Sequence, residues 1–262
     1  MDKYLNKIMQ GDCLEVMKGF EAESIDLVVT SPPYDNMRDY KGYSFNFEGI
    51  AKELFRVIKK GGVVVWVVGD ETINFCESLT EARQKLFFVE QCGFKLLDTM
   101  IYQKRNYAPA YPSIKRYAGV FEYMLILSKG IPLRFNPIQV ERREQKVHLG
   151  NYLKSNGKLE SGNAYITRKS DKKIKTTKDA TNVWLYSVGG GKRIHPAPYP
   201  EGLAKDHILS WSNEGDIVLD PMNGSGTTTK MAKKLGRNYI GIEISPEYCK
   251  IANQRLAQEV LL

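Results

Sequence analysis

Apolar and polar positions along the chain alternate between short buried runs and helical periodicities. Residues 25–30, IDLVVT, are apolar and β-branched and run into Ser31-Pro32-Pro33-Tyr34, which continues neither a strand ladder nor a helix. A buried strand ending at Thr30 is predicted. Across residues 47–60 the apolar positions Ile50, Leu54, Phe55, Val57 and Ile58 recur at near-helical spacing, closed by Gly61-Gly62, and residues 63–68 (VVVWVV) read as a second buried strand. The pattern then predicts a helix from about residue 77 to 92, stopped at Gly93, and strands near residues 94–103 and 121–128. A helix through residues 203–211 leads to a strand over 216–220, a glycine-rich turn, a helix near 227–235, a strand over 239–242 and a last helix after Pro246. Alternation of this kind implies a mostly parallel, doubly wound α/β sheet.

Composition narrows the class without changing it. A length of 262 residues fits one α/β domain with a smaller insertion. The four cysteines form no C-x-x-C pair, so neither a zinc site nor a disulfide framework is suggested, and reduced thiols are expected. The start of the chain lacks a signal-peptide core, and the longest apolar run, residues 63–68, is far short of the roughly 20 residues that span a bilayer. A cytoplasmic protein is the expectation.

Charge changes the picture more. Between Arg134 and Asn182 stand twelve Lys and Arg against five Asp and Glu, so this stretch holds nearly all of the net +8. Asn151, Tyr152, Asn156, Asn163 and Tyr165 lie among the charges. The stretch reads as a polyanion-contacting insert on a neutral scaffold or as a solvated loop, and charge alone does not separate the two. The predicted organisation is residues 1–133 and 183–262 as two halves of one domain, with 134–182 inserted between them.

Two strand-ending loops carry chemistry. In the first, Asp220-Pro221-Met222-Asn223-Gly224-Ser225-Gly226-Thr227-Thr228, glycines allow close backbone approach to a ligand, and Asp220 can accept hydrogen bonds from it. Glu243 closes the next strand, about 20 residues on, where a carboxylate can hold ribose hydroxyls. A nucleoside cofactor is implied. The loop is not a P-loop, because no Lys precedes the Thr pair, and a third glycine of a dinucleotide fingerprint would fall at Thr229. A glycine turn that serves only strand-to-helix geometry is the competing explanation. In the second loop, Pro33 fixes Pro32 in an extended conformation, Ser31 supplies a hydroxyl acceptor beside the Pro32 carbonyl, and Tyr34 supplies a face for stacking. These types suit a planar ligand bearing an amino group, although a Pro-Pro turn alone is commoner.

Taken together, T-S-P-P-Y early and D-P-x-x-G-S-G-T-T late, with the basic stretch between, resemble the circularly permuted beta group of DNA amino-methyltransferases that use S-adenosylmethionine. The resemblance spans nearly the whole chain. It implies a Rossmann-like methyltransferase sheet with a polar target-recognition insertion at 134–182, and it aligns Lys60-Gly61-Gly62 with a helix-to-strand junction. By resemblance, Asp12 contacts the cofactor's adenine, Glu243 its ribose, and Asp220, Pro221, Met222, Gly224, Ser225, Gly226 and Thr227 its methionine. His195 to Glu201 resembles the motif opening the cofactor half, with Pro200 against the cofactor. Met222 departs from the family's usual Phe. Ser31, Pro32, Pro33 and Tyr34 become the catalytic motif, holding a flipped base for direct methyl transfer to its amine. Ser at the first position resembles the N4-cytosine branch more than the N6-adenine branch, which usually has Asp there.

The implied partners are double-stranded DNA, with a homodimer and a companion restriction endonuclease as options that the resemblance leaves open. Candidate DNA contacts are Arg38 after the catalytic turn, Lys104, Arg105 and Arg116 in a basic-aromatic stretch, and Arg168, Lys169, Lys172 and Lys173 in the insertion. The three histidines show no ligand spacing, and no metal is expected. A methyltransferase acting on RNA would keep the glycine loop without needing so basic an insert, and a nucleic-acid-binding module with a vestigial pocket is the non-enzymatic alternative.

Overall fold

The computed structural model of the chain describes residues 1–33, 45–107, 117–141, 177–187 and 199–258. Strand β1 (Lys7–Gln10) leads into helix α1 (Cys13–Met17), whose first turn is capped by Asp12; its carboxylate accepts from the N–H groups of Leu14 at 2.8 Å and Glu15 at 3.2 Å. Strands β2 (Ile25–Thr30) and β3 (Ile58–Val68) are joined through helix α2 (Phe47–Val57). A small hairpin of β4 (Thr72–Ile73) and β5 (Cys76–Glu77) precedes helix α3 (Thr80–Leu86), which continues as a π-helical turn over Phe87–Gln91. Strands β6 (Lys95–Lys104), β7 (Phe121–Ser128), β8 (Gln139–Glu141), β9 (Thr177–Asp179) and β10 (Val183–Tyr186) follow. Helix α4 (Glu201–Trp211), strand β11 (Ile217–Asp220), helix α5 (Thr227–Lys234), strand β12 (Asn238–Glu243) and helix α6 (Pro246–Ala257) complete the order.

Among the described residues, eight strands form one sheet in the order β1-β12-β11-β2-β3-β7-β6-β10. Only β7 runs against its neighbours. The central strands read as unbroken apolar runs because both of their faces are covered. Val28, Val64, Trp66 and Leu219 pack on one face against Ile50, Ala51 and Leu54 of α2. Leu27, Val29, Val65 and Val218 pack on the other against Leu203 and Ile208 of α4 and Met231 of α5. Trp66 is fully buried, and its indole N–H donates to Gln84 of α3 at 2.8 Å. Trp184 is likewise a packing residue, stacked 4.6 Å from the His207 ring.

Two boundaries differ from expectation. Helix α2 ends at Val57, three residues short of the expected Lys60, because Ile58 is already extended and pairs with Ile25. Gly61 and Gly62 therefore lie inside β3, at an irregularity that takes up the register shift between Ile25 and Leu27 on β2. The helix expected from about residue 77 starts at Thr80, because Cys76 and Glu77 are engaged with Thr72 and Ile73 in the hairpin. Asp70 follows β3, and its carboxylate accepts from the Glu81 N–H at 3.0 Å, in the first turn of α3.

The chain divides into two compact units, residues Met1–Asn136 with Thr181–Leu262, and Pro137–Ala180. In the second, β8 and β9 pair antiparallel, and the Gln139 amide donates to the Asp179 carboxylate at 2.6 Å. No described helix is long and apolar enough to cross a membrane.

Gly61 offers a test of the β3 irregularity. Its φ is +76°, and an added Cβ would lie 2.4 Å from Leu133 Cγ and 2.8 Å from the Ile131 carbonyl oxygen. Gly61→Ala is expected to destabilise the fold by about 2–3 kcal/mol, measured by urea unfolding, from strain and overpacking together.

Candidate active site

The two chemistry-bearing loops meet where the sheet reverses its direction of growth. From β2 the chain moves through α2 to β3 on one side; from β11 it moves through α5 to β12 on the other. Neighbouring strands whose connections leave in opposite directions open a crevice at their carboxyl ends, and ligands of doubly wound sheets bind there. Thr30 and Asp220 close β2 and β11 at this seam. The Thr30 hydroxyl donates to Asp220 Oδ1 at 2.8 Å although 190 residues separate them, and the Met222 N–H donates to the same oxygen at 3.1 Å. Asp220 is almost completely buried. Burial pushes its pKa up to about 6, against the hydrogen bonds from Thr30, Thr228 and Met222 that favour the ionised form.

The loop after Asp220 is pinned from below. Asn223 is buried; its N–H donates to the Ile242 carbonyl at 2.8 Å, and its side-chain oxygen accepts from Thr229 Oγ1 at 2.9 Å. Gly226 has φ +84° and immediately precedes α5, and a Cβ there would lie 2.9 Å from Ala252 Cβ. Glycine is therefore required by backbone and by packing. Ser225 is held by Arg255, which donates to its carbonyl at 2.7 Å and its hydroxyl at 3.0 Å. Thr227, the first residue of α5, is buried, as are Pro221 and Gly224, and Met222 is half-buried against the core.

Glu243, at the end of β12, ties three segments together. Its carboxylate accepts from the Gly224 N–H at 2.8 Å and the Ser245 N–H at 2.9 Å, while its carbonyl accepts from Gly11 at 3.0 Å. Burial raises its pKa despite those amide bonds. Asp12, exposed, follows Gly11 at the same edge. Asp12, Asp220 and Glu243 thus give this edge a negative character. The nearby cations of α5 and α6 are engaged: Lys230 and Arg255 pair with Glu201 at 2.8 and 2.7 Å.

This donor set suits a ligand with cationic groups and hydroxyls. It does not suit a phosphate, since the Gly224 N–H that would cradle an anion is already donated to a carboxylate. The residues fit S-adenosyl-L-methionine, whose ammonium and sulfonium groups are cationic and whose ribose hydroxyls are donors.

Beside the seam, Ser31 and Pro33 are half-buried and Pro32 is buried. Pro200 stands at the start of α4, where its carbonyl accepts from the Leu203 N–H at 3.0 Å. Lys104 ends β6 at the same edge of the sheet and is ion-paired with Glu122 at 2.7 Å, whereas Arg105 next to it is exposed. The structure therefore gathers Ser31, Pro32, Asp12, Asp220 and Glu243 at one edge. Tyr34, Arg38, Arg116, Arg168, Lys169, Lys172 and Lys173 lie outside the described residues. The sequence pattern missed Thr30, Thr228 and Asn223. Thr30 carried a signal, as the one polar side chain closing an apolar run; Asn223 and Thr228 carried none beyond membership of the glycine loop.

A sequence profile described as DNA methylase, of the N6/N4 type, matches residues 25–254. The orphan methyltransferase M.BamHII of Bacillus amyloliquefaciens is 49% identical over 251 residues, covering 91% of each chain. The DNA adenine methyltransferase YhdJ of Escherichia coli is 30% identical over 266 residues, covering 95% of this chain and 82% of that one. A Thermus thermophilus protein, a putative DNA modification methylase crystallised with S-adenosyl-L-methionine, superposes with a TM-score of 0.64 at 27% identity, over 97% of this chain and 96% of that one.

The buried acid makes a prediction about stability. The folded-state pKa of Asp220 lies above its ordinary 3.8, so its proton favours the fold. That contribution is complete below about pH 4 and is lost as pH rises through about 6. Asp220→Asn should therefore gain stability relative to wild type between about pH 4 and pH 8, by on the order of 3 kcal/mol in unfolding free energy. A difference independent of pH would contradict the burial argument.

Proposed function

Because the chain belongs to the DNA methylase family, we propose that it transfers the methyl group of S-adenosyl-L-methionine to the exocyclic N4 amine of a cytosine rotated out of duplex DNA. The feature that carries this reading is the seam, where the Ser31-Pro32 loop and the Asp220 loop are held side by side by the Thr30–Asp220 hydrogen bond. Ser31, in the first position of the catalytic motif, is what favours cytosine. A second reading, N6-adenine, draws on the 30% identity to YhdJ, and the pocket chemistry of the two amines is shared.

The cofactor supplies a methyl group made electrophilic by its sulfonium. Asp220 and the backbone from Pro221 to Thr227 hold its methionine half, Glu243 accepts from its ribose hydroxyls, and Asp12 and Pro200 bound its adenine side. On the substrate side, the Ser31 hydroxyl and the Pro32 carbonyl accept hydrogen bonds from the target amine, and Tyr34 stacks on the base. Two acceptors on the amine hydrogens orient its lone pair away from them and raise its nucleophilicity, so positioning and polarisation carry the rate. Arg105 and the cations of the 134–182 stretch hold the phosphate backbone, that stretch acting as the target-recognition element.

The deciding experiment incubates the protein with mixed-sequence duplex DNA and labelled cofactor, digests the DNA to nucleosides and identifies the product by mass spectrometry. N4-methylcytosine is expected. N6-methyladenine would overturn the base assignment, and unlabelled DNA with demonstrated cofactor binding would overturn the substrate class. Ser31→Ala should slow single-turnover transfer by about 100-fold while leaving cofactor affinity within a few-fold; parallel loss of both would place Ser31 in the cofactor pocket instead. Replacing Lys169, Lys172 and Lys173 by Gln should flatten the dependence of DNA affinity on salt by roughly one logarithmic unit per phosphate contact removed. An unchanged slope would take this stretch off the DNA backbone.

A further inference from the structure

Beneath the carboxyl edge of the seam, Tyr199, Thr228, Asp220 and Thr30 form a run of polar contacts in otherwise apolar surroundings. Thr228, in the first turn of α5, is completely buried. Its hydroxyl donates to the Val29 carbonyl at 3.0 Å, touches the Tyr199 hydroxyl and lies beside the Asp220 carboxylate. A threonine hydroxyl has one proton and two acceptor lone pairs, whereas a carbonyl and a carboxylate only accept. With its proton directed to Val29 or shared with Asp220, Thr228 must accept from Tyr199, so the phenol is the donor that completes the contact. Tyr199 immediately precedes Pro200 and α4, and Val29 immediately precedes Thr30. The last two residues of the catalytic strand are thus gripped twice, Val29 by the helix that follows the glycine loop and Thr30 by the acid that precedes it.

We propose that Tyr199 and Thr228 are positioning residues that lock the end of β2 to the glycine loop, so that cofactor binding at that loop sets the placement of Ser31 and Pro32. Neither side chain acts on the reacting atoms. Thr228 faces the strand rather than the edge, and the Tyr199 hydroxyl meets the Thr228 hydroxyl while its ring packs on the core beneath β2. The inference rests on the reading of Ser31-Pro32 as the amine-holding pair. It goes further in making the catalytic turn responsive to what occupies the neighbouring loop, because a rigid tie transmits the displacement of one segment to the other.

Thr228→Val removes the hydroxyl at nearly constant volume, Thr228→Ser restores it, and Tyr199→Phe removes only the donor. Thr228→Val is expected to keep the cofactor dissociation constant, read by calorimetry, within about threefold of wild type while single-turnover methylation falls by about 10- to 100-fold. Thr228→Ser should recover most of that loss. A second readout needs no DNA: in wild type, saturating S-adenosyl-L-methionine should slow amide hydrogen exchange in the peptide covering residues 25–33, and in Thr228→Val this slowing should disappear although the cofactor still binds. Equal losses of affinity and rate, a serine variant as impaired as the valine one, or persistence of the exchange effect would each overturn the proposal. Should Thr228→Val fail to fold, Tyr199→Phe carries the same tests. If wild type methylates no DNA while the exchange effect follows the hydroxyl, the substrate reading fails and the tie stands.

Discussion

A hydrogen bond between Thr30 and Asp220 ties the ends of β2 and β11, parallel neighbours 190 residues apart in the chain. The rest of the site depends on it. Parallel strands present all their carboxyl ends at one edge, and the reversal of winding between β2 and β11 opens that edge into a crevice. The glycine loop is pinned from its own side by Arg255 of α6 and by Asn223, and Ser31 to Pro33 follow directly on β2. Their relative placement comes from the seam: Thr30 to Asp220, Val29 to Thr228, and the pairing of Leu27 and Val28 with Val218 and Leu219.

The same constraint explains why the site is costly to the fold. Asp220 and Glu243 are carboxylates that burial pushes toward the protonated form, and the charge of Glu243 further opposes the ionisation of Asp220. Buried acids that weaken the free protein are the expected signature of a site built to receive a cation. Backbone amides soften the cost without removing it: Gly224 and Ser245 donate to Glu243, and Met222 donates to Asp220. Spending these amides on carboxylates also removes them from any phosphate, so the glycine loop here serves a chemistry opposite to that of anion-binding glycine loops.

Legibility in the sequence followed burial. β2, β3, β7, β11 and β12 were readable because strands covered on both faces become continuous apolar runs, and α2, α4 and α5 because their apolar positions repeat toward one face. β1 and β10 were not readable: they are the two edges of the sheet, four residues each, with exposed or half-exposed side chains throughout. The hairpin β4–β5 is held by two residue pairs and left no periodicity. At the site, the residues proposed to touch the ligand are unusual types at strand ends and stood out in the sequence for that reason. The residues that hold those in place did not, because Thr30, Asn223 and Thr228 acquire their roles only from strands and loops that topology brings beside them.

One crevice, at the carboxyl ends of β2 and β11, is proposed to hold the methyl donor against the Ser31-Pro32 turn. A crystal structure of the protein with S-adenosyl-L-methionine tests it most directly. The expected complex has the ribose hydroxyls on Glu243, the methionine end against Asp220 and the glycine loop, and the sulfonium methyl directed toward Ser31. Cofactor bound away from this seam, or bound there with its methyl turned from the Ser31-Pro32 turn, would contradict it.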